Sequence, residues 1–266
     1  MRKEYDFSKA QKNPYYPYYV KLAEKGLLDR ILKDAIKKTQ GLHKPGTLAK
    51  VEPELKRPLT QLEAYLSNCG YCTAQLLSHL EKIELIGIFI SDGTMSQKLK
   101  KNNITRNKVL VYNIENFIVT TRGLIDRLVI LIDAILNLGN DSQFISYNLI
   151  KENSHVQKLK LDVHLKKLKK ICEEYHYPRN QIIHQSQFVT DDIRRLEMYS
   201  LLSENQKING IKDEKYRFKT RFGERRIRAE WTKKVQQFTE QIAPEIEKIL
   251  GKMESTYEAY KKRYSV

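Results

Sequence analysis

VLVYNIENFIVTTRGLIDRLVILIDAILNL, residues 109–138, is the longest strongly periodic segment ahead of residue 175. Ile114, Phe117, Ile118, Ile125, Leu128, Ile132 and Ile135 recur at steps that place them on one side of a helix, with Asp and Arg on the other. The most apolar window inside it, Gly123 to Gly139, is interrupted by Asp126, Arg127 and Asp133. Its uncharged run is too short to cross a bilayer, so it reads as a buried central helix and no membrane partner is expected. A chain whose core signal has period 3.6 predicts an all-α fold.

The same period extends on both sides. Residues 16–39 carry Leu27, Ile31, Leu32, Ala35 and Ile36 at helical spacing, and Pro45, Gly46, Pro53 and Pro58 then impose turns over 41–58. A second helix is expected over 59–90, closed by Ser91-Asp92-Gly93. Residues 1–58 thus form an N-terminal extension with one amphipathic helix, ahead of a helical bundle over 59–266. Beyond the central helix, Ser154 is a candidate cap for a basic helix in which Leu161, Leu165, Leu168 and Cys172 share a face. Pro178 stops that helix and suits the first turn of the next, expected from Arg179 to about Phe188. Thr190 and Asp191 open a short helix to about Ser203, and 224–263 form a long final helix containing Pro244. One segment departs from the rhythm. In KYRFKTRF, 215–222, basic residues alternate with Tyr216, Phe218, Thr220 and Phe222, which is strand period; with Asn209-Gly210 it predicts one small β-hairpin near 205–222. That ribbon either stacks bases and pairs phosphates or lays its aromatics on the bundle with its charges in water.

Lys and Arg number 48 against 32 Asp and Glu, a formal charge of +16 with pI near 9.5, which directs attention to polyanionic partners and to nucleic acid first. Lys166, Lys169 and Lys170 on the basic helix, with Lys215 and Arg217, are the candidate RNA-contacting cations. Cys69, Cys72 and Cys172 are too few for a disulfide framework, and a reducing cytoplasm is expected. The opening MRKEYDFSKAQKN has a basic flank and no apolar core, so no secretory signal is expected. Cys69-Gly70-Tyr71-Cys72 has redox spacing but lies in a helical run, without the strand-to-helix turn that chemistry uses. No second CxxC or HxxxH pair completes a zinc set, so no metal is expected. There is no GxxxxGK[ST], GxGxxG or GxSxG, and no cofactor is expected.

The remaining chemistry gathers in YHYPRNQIIHQSQF, 175–188. Asn180 and His184 are four apart and share a helix face, whereas Arg179 lies about 140° from His184 and joins them only by wrapping its long side chain. Histidine suits proton transfer near neutral pH, and a guanidinium at a helix start suits phosphate. Arg179, Asn180 and His184 therefore form a candidate set for RNA cleavage without a metal. His184 exchanges protons with the 2′- and 5′-oxygens, Arg179 stabilises the phosphorane, and Asn180 orients a phosphate oxygen or His184. Alternatively, these are polar residues that open a helix facing water.

PRNQIIH, 178–184, resembles the R-x4-6-H signature of the HEPN superfamily, in the form with Asn directly after the arginine. The architectural likeness spans about 59–203. It implies an all-α HEPN-like bundle of long antiparallel helices and a metal-independent endoribonuclease. The implied site is composite, formed by the facing motifs of a homodimer. The implied setting is a toxin or antiviral-defence effector, with an antitoxin or other regulatory protein as a further partner. In superfamily members paired with nucleotidyltransferase antitoxins a tyrosine follows two residues after the histidine; here Ser186 stands there, so control at that tyrosine is not implied. Some members are non-catalytic, and the other reading is a helical module that binds nucleic acid or a partner protein.

Overall fold

The computed structural model describes residues 26–40, 42, 55–93, 96–141, 143–185, 187–209 and 214–265. The helices are α1 Leu27–Thr39, α2 Gln61–Asp92, α3 Gln97–Lys101, α4 Arg106–Leu136 and α5 Tyr147–Glu152, followed by α6 Ser154–Lys158, α7 Leu161–Glu173, α8 His176–Gln185, α9 Asp191–Ile208 and α10 Lys215–Arg263. Among the described residues there is no β-strand, and the fold is the all-α bundle expected. The expected hairpin does not form: 205–208 belong to α9 and 215–222 to α10, while Gly210 of the expected Asn209-Gly210 turn lies outside the described residues. Eight alternating residues are overruled by a longer helical stripe, in which Tyr216, Thr220, Gly223, Ile227, Trp231, Val235 and Phe238 recur every three or four positions. Residues 16–25 of the first expected helix also lie outside the described residues.

The chain divides into two compact units, each described by itself. The first comprises α1, the part of α2 up to Glu81, Gly123–Ile171 and the end of α10 from Ile242. Helix α2 starts with a reciprocal cap: Thr60 Oγ1 accepts from Glu63 N–H, and Glu63 Oε2 accepts from Thr60 N–H. Arg57 holds both Glu63 oxygens, and its guanidinium together with the Thr60 N–H lowers that carboxyl to about 2. Within this unit α2 and α4 run antiparallel. The Tyr65 hydroxyl donates to Ile135 C=O, while His79, further along α2, faces Gly123 so closely that a Cβ there would come within 2.7 Å of the imidazole. Helix α1 buries Leu27, Leu28, Ile31 and Ala35, and its Asp34 accepts from the Tyr257 hydroxyl and the Lys261 ammonium of α10. Cys69 and Cys72 sit on the buried side of α2. Burial pushes their thiols up to about 12 and about 11, which disfavours the thiolate form.

The basic helix expected from Ser154 onward is two helices. Asn153, not Ser154, caps α6, accepting from the N–H groups of His155 and Val156. The left-handed Lys160 (φ 54°) then separates it from α7, where Lys252 donates to the freed Leu159 carbonyl. Leu161, Leu165 and Leu168 of α7 are fully buried, as their spacing predicts.

The second unit comprises Lys82–Arg122 and Cys172–Gln241. Gly93, with φ +62°, ends α2 at the expected place, and Arg228 donates to the Ile90 carbonyl left open there. Phe117 of α4, fully buried, meets Tyr175, Trp231 and Phe238 edge-on at 5.2, 6.4 and 5.5 Å. Helices α9 and α10 are antiparallel here: Asp192 pairs with Arg226, Leu196 faces Gly223, and Tyr199 stacks on Tyr216.

Candidate functional site

All three motif residues lie in the second unit, on α8. This helix starts at His176, three residues earlier than expected, with Pro178 inside its first turn, where no backbone N–H is needed. The Arg179 N–H is already bonded to Tyr175 C=O at 3.0 Å, so an anion here would be held by side chains rather than by the amide of Arg179. Both ends of α8 are anchored. Tyr175, ahead of it, packs edge-on against Phe117 and Phe238, and burial raises its phenol above the ordinary range. Phe188, beyond it, packs against Trp231, and its N–H donates to Glu115 at 2.8 Å.

On this fixed helix the Arg179 side chain wraps to Asn180, donating from its guanidinium to Oδ1 at 3.4 Å. That contact links neighbouring residues, and among the described residues no hydrogen bond joins the guanidinium to His184, which stands about 140° away around the helix. His184 is exposed one turn along the Asn180 face and makes no side-chain hydrogen bond among the described residues. Arginine and asparagine are therefore brought together, and the imidazole is left accessible. Beside Pro178 a cleft of about 280 Å³ is lined by Glu174, Tyr175, Trp231, Lys234 and Gln237. A larger one, about 760 Å³, lies between the start of α4 and α9, at Asn107, Lys108, Glu197 and Leu201, and contains none of the expected site residues.

The expected RNA-contacting cations divide between the units. Lys215 and Arg217 share the second unit with the motif, and Arg217 pairs with Glu214 at 2.8 Å. Lys166, Lys169 and Lys170 belong to the first unit, where Lys166 pairs with Asp162 at 3.1 Å and Lys169 lies over the Tyr147 ring at 4.5 Å. Glu115 escaped the sequence reading because its partner Phe188 is 73 positions away and nothing local marks the pair. Trp231 and Phe238, which seat Tyr175 and Phe188, carried a signal in the helical stripe of the final helix, but one that reads as core. Among the described residues no group of three or more His, Cys, Asp or Glu converges as a metal site would need, and no helix is long and apolar enough to cross a membrane.

Comparison with known proteins adds the family. No curated protein and no solved structure matches the chain. The profile of the Cthe2314-like HEPN family matches residues 73–261, a span that contains α8 and runs past residue 203 through almost all of α10. This covers more than half of the sequence and includes the motif that suggested the superfamily, so the chain belongs to the Cthe2314-like HEPN family.

Proposed function

We propose that this protein is a metal-independent endoribonuclease that cleaves RNA at a site composed of Arg179, Asn180 and His184 from each of two copies. The observation that carries the reading is the geometry of α8: Arg179 is turned onto Asn180 while His184, on the Asn180 face, stays open to a substrate. Family membership and the +16 charge support it. In this mechanism one His184 takes the proton of a ribose 2′-OH, and the 2′-oxygen attacks phosphorus. The bond to the 5′-oxygen breaks, and that oxygen leaves with a proton from the second His184. Arg179 stabilises the added charge on the phosphorane, and Asn180 holds the guanidinium in position. Each chain offers one such histidine, so acid and base together require a homodimer. The role that fits is a toxin or defence effector restrained by an antitoxin or other regulatory protein.

The test is cleavage of RNA in excess EDTA by purified protein. The expected products carry 2′,3′-cyclic phosphate, and His184→Ala is expected to lower the rate by about 10²- to 10⁴-fold, the usual worth of a general acid or base. Because His184 is exposed, its removal should leave the thermal midpoint unchanged. Undiminished cleavage by His184→Ala refutes the proposal. Tight, salt-dependent RNA binding with no product from the intact protein assigns the chain to the non-catalytic alternative.

A further inference from the structure

The segment 215–222, read as a strand in the sequence, becomes more informative as a helix. On α10 Phe218 and Phe222 are one turn apart, 70% and 59% exposed, and their rings stack with centroids 6.4 Å apart and planes 19° from parallel. At about 100° per residue Arg225 projects within about 60° of both rings, and Arg221 within about 60° of Phe218. The ion pairing around them is selective. Arg217, Arg226 and Arg228 are held by Glu214, Asp192 and Glu224, whereas Arg221 and Arg225 have no carboxylate partner among the described residues. Two exposed, near-parallel aromatic rings thus stand beside two guanidiniums that have no carboxylate partner among the described residues.

We infer that this face of α10 is a stacking platform for single-stranded nucleic acid, with bases laid on Phe218 and Phe222 and phosphates paired to Arg221 and Arg225. Aromatic rings bind bases only where the π faces are unstacked from a duplex, and arginines beside them fit the backbone charge. A second copy of the chain is a poor occupant, because a symmetric contact sets Arg221 and Arg225 against their own kind with no carboxylate on this face, among the described residues, to separate them. The inference deepens the ribonuclease reading and rests on it for the identity of the strand as RNA. It changes the residues as well: Phe218, Phe222, Arg221 and Arg225 replace the alternating set that strand geometry would have used.

The experiment uses the full chain and an uncleavable 2′-O-methyl RNA of about 12 nucleotides, within the site sizes of known single-strand grooves, so that affinity is read without turnover. Fluorescence anisotropy of F218A/F222A is expected to show at least about tenfold weaker single-strand binding, with duplex binding changed less than about twofold. For R221A/R225A the slope of log affinity against log salt should fall by about 1.4, two single-strand phosphate contacts at about 0.7 each. Single-strand affinity of F218A/F222A within about twofold of the parent overturns the platform, as does equal loss for duplex and single strand. Both rings are exposed, so the variants should fold; a circular dichroism melt checks this. If F218A/F222A changes the mass by light scattering while RNA affinity is unchanged, the face is a protein contact and the inference fails. Loss of cleavage in these variants alone does not decide it. Retained cleavage by His184→Ala overturns the ribonuclease reading and leaves this binding measurement standing.

Discussion

Helix α7 and the first turns of α10 look alike in composition, each a short run dense in cations with apolar residues between them. The fold uses them in opposite ways. In α7 the apolar residues face inward: Leu161, Leu165 and Leu168 are fully buried, and Lys166, Lys167 and Lys169 on the other side are engaged within their own unit. Lys166 pairs with Asp162, Lys167 and Lys248 meet Glu245, and Lys169 covers the Tyr147 ring. In α10 Tyr216 packs on Tyr199 while Phe218 and Phe222 face out, with Arg221 and Arg225 uncompensated beside them. Net charge therefore says little about where a polyanion binds. What matters is whether the fold has already neutralised the cations and already buried the hydrocarbon between them.

The largest effect expected from this contrast is on stability. Leu165→Ala should cost about 2–5 kcal/mol, since it opens a cavity in a closed core, while Phe218→Ala should stay within about 0.5 kcal/mol. Urea titration of both variants measures the difference, and comparable losses would erase the distinction. A smaller effect is pH-dependent and centres on Glu245. Although burial works the other way, hydrogen bonds with His164 at 2.6 Å and Lys248 at 2.9 Å hold this carboxyl below its ordinary range. A depressed carboxyl stabilises the fold fully above its unfolded value near 4.5 and loses that contribution as pH falls through the lower folded value. Glu245→Gln should therefore destabilise at pH 7 and converge on wild type in acid; a gap that stays constant down to pH of about 2 would remove the carboxylate from the account.

Smaller again is the expected difference in RNA binding between the two helices. Lys170→Ala, at an exposed site, should lower the salt slope by at most about 0.7, and Lys166→Ala by less because Asp162 already holds it. A fall of about 0.7 for Lys166→Ala, the full value of one contact, would show that pairing within the fold does not discount a cation. The smallest effect concerns Cys69 and Cys72, whose raised thiols should resist alkylation by iodoacetamide at pH 8 in the folded protein and react on unfolding. Rapid labelling of the native chain would contradict their burial.

Much of this architecture was legible in the residues. The Leu161–Leu165–Leu168 stripe, the Gly93 stop and the central helix follow from period and punctuation, because a helix that must bury one face repeats its apolar residues every three or four positions. The motif itself was legible as a spacing, four residues from Asn180 to His184 on one helix face. The alternation over 215–222 spells a strand for eight residues, but the helical stripe running from Trp231 back to Tyr216 is longer and prevails. The Asn153 cap and the left-handed Lys160 were missed because several polar residues compete for one cap, and backbone conformation at a lysine leaves no compositional trace.

By itself, then, the sequence determined the helical class, the positive charge and the presence of Arg179, Asn180 and His184 at helical spacing, since these depend on contacts within a few residues. Only the tertiary structure decided that Tyr175 and Phe188 anchor α8 at both ends, that Glu115 takes the Phe188 N–H, and that Phe218 and Phe222 stand outside with two unpaired arginines. Each depends on which distant side chain fills the space or supplies the counter-charge. Period fixes the side of a helix on which a residue stands, while packing across long sequence separations decides whether that side is core or surface.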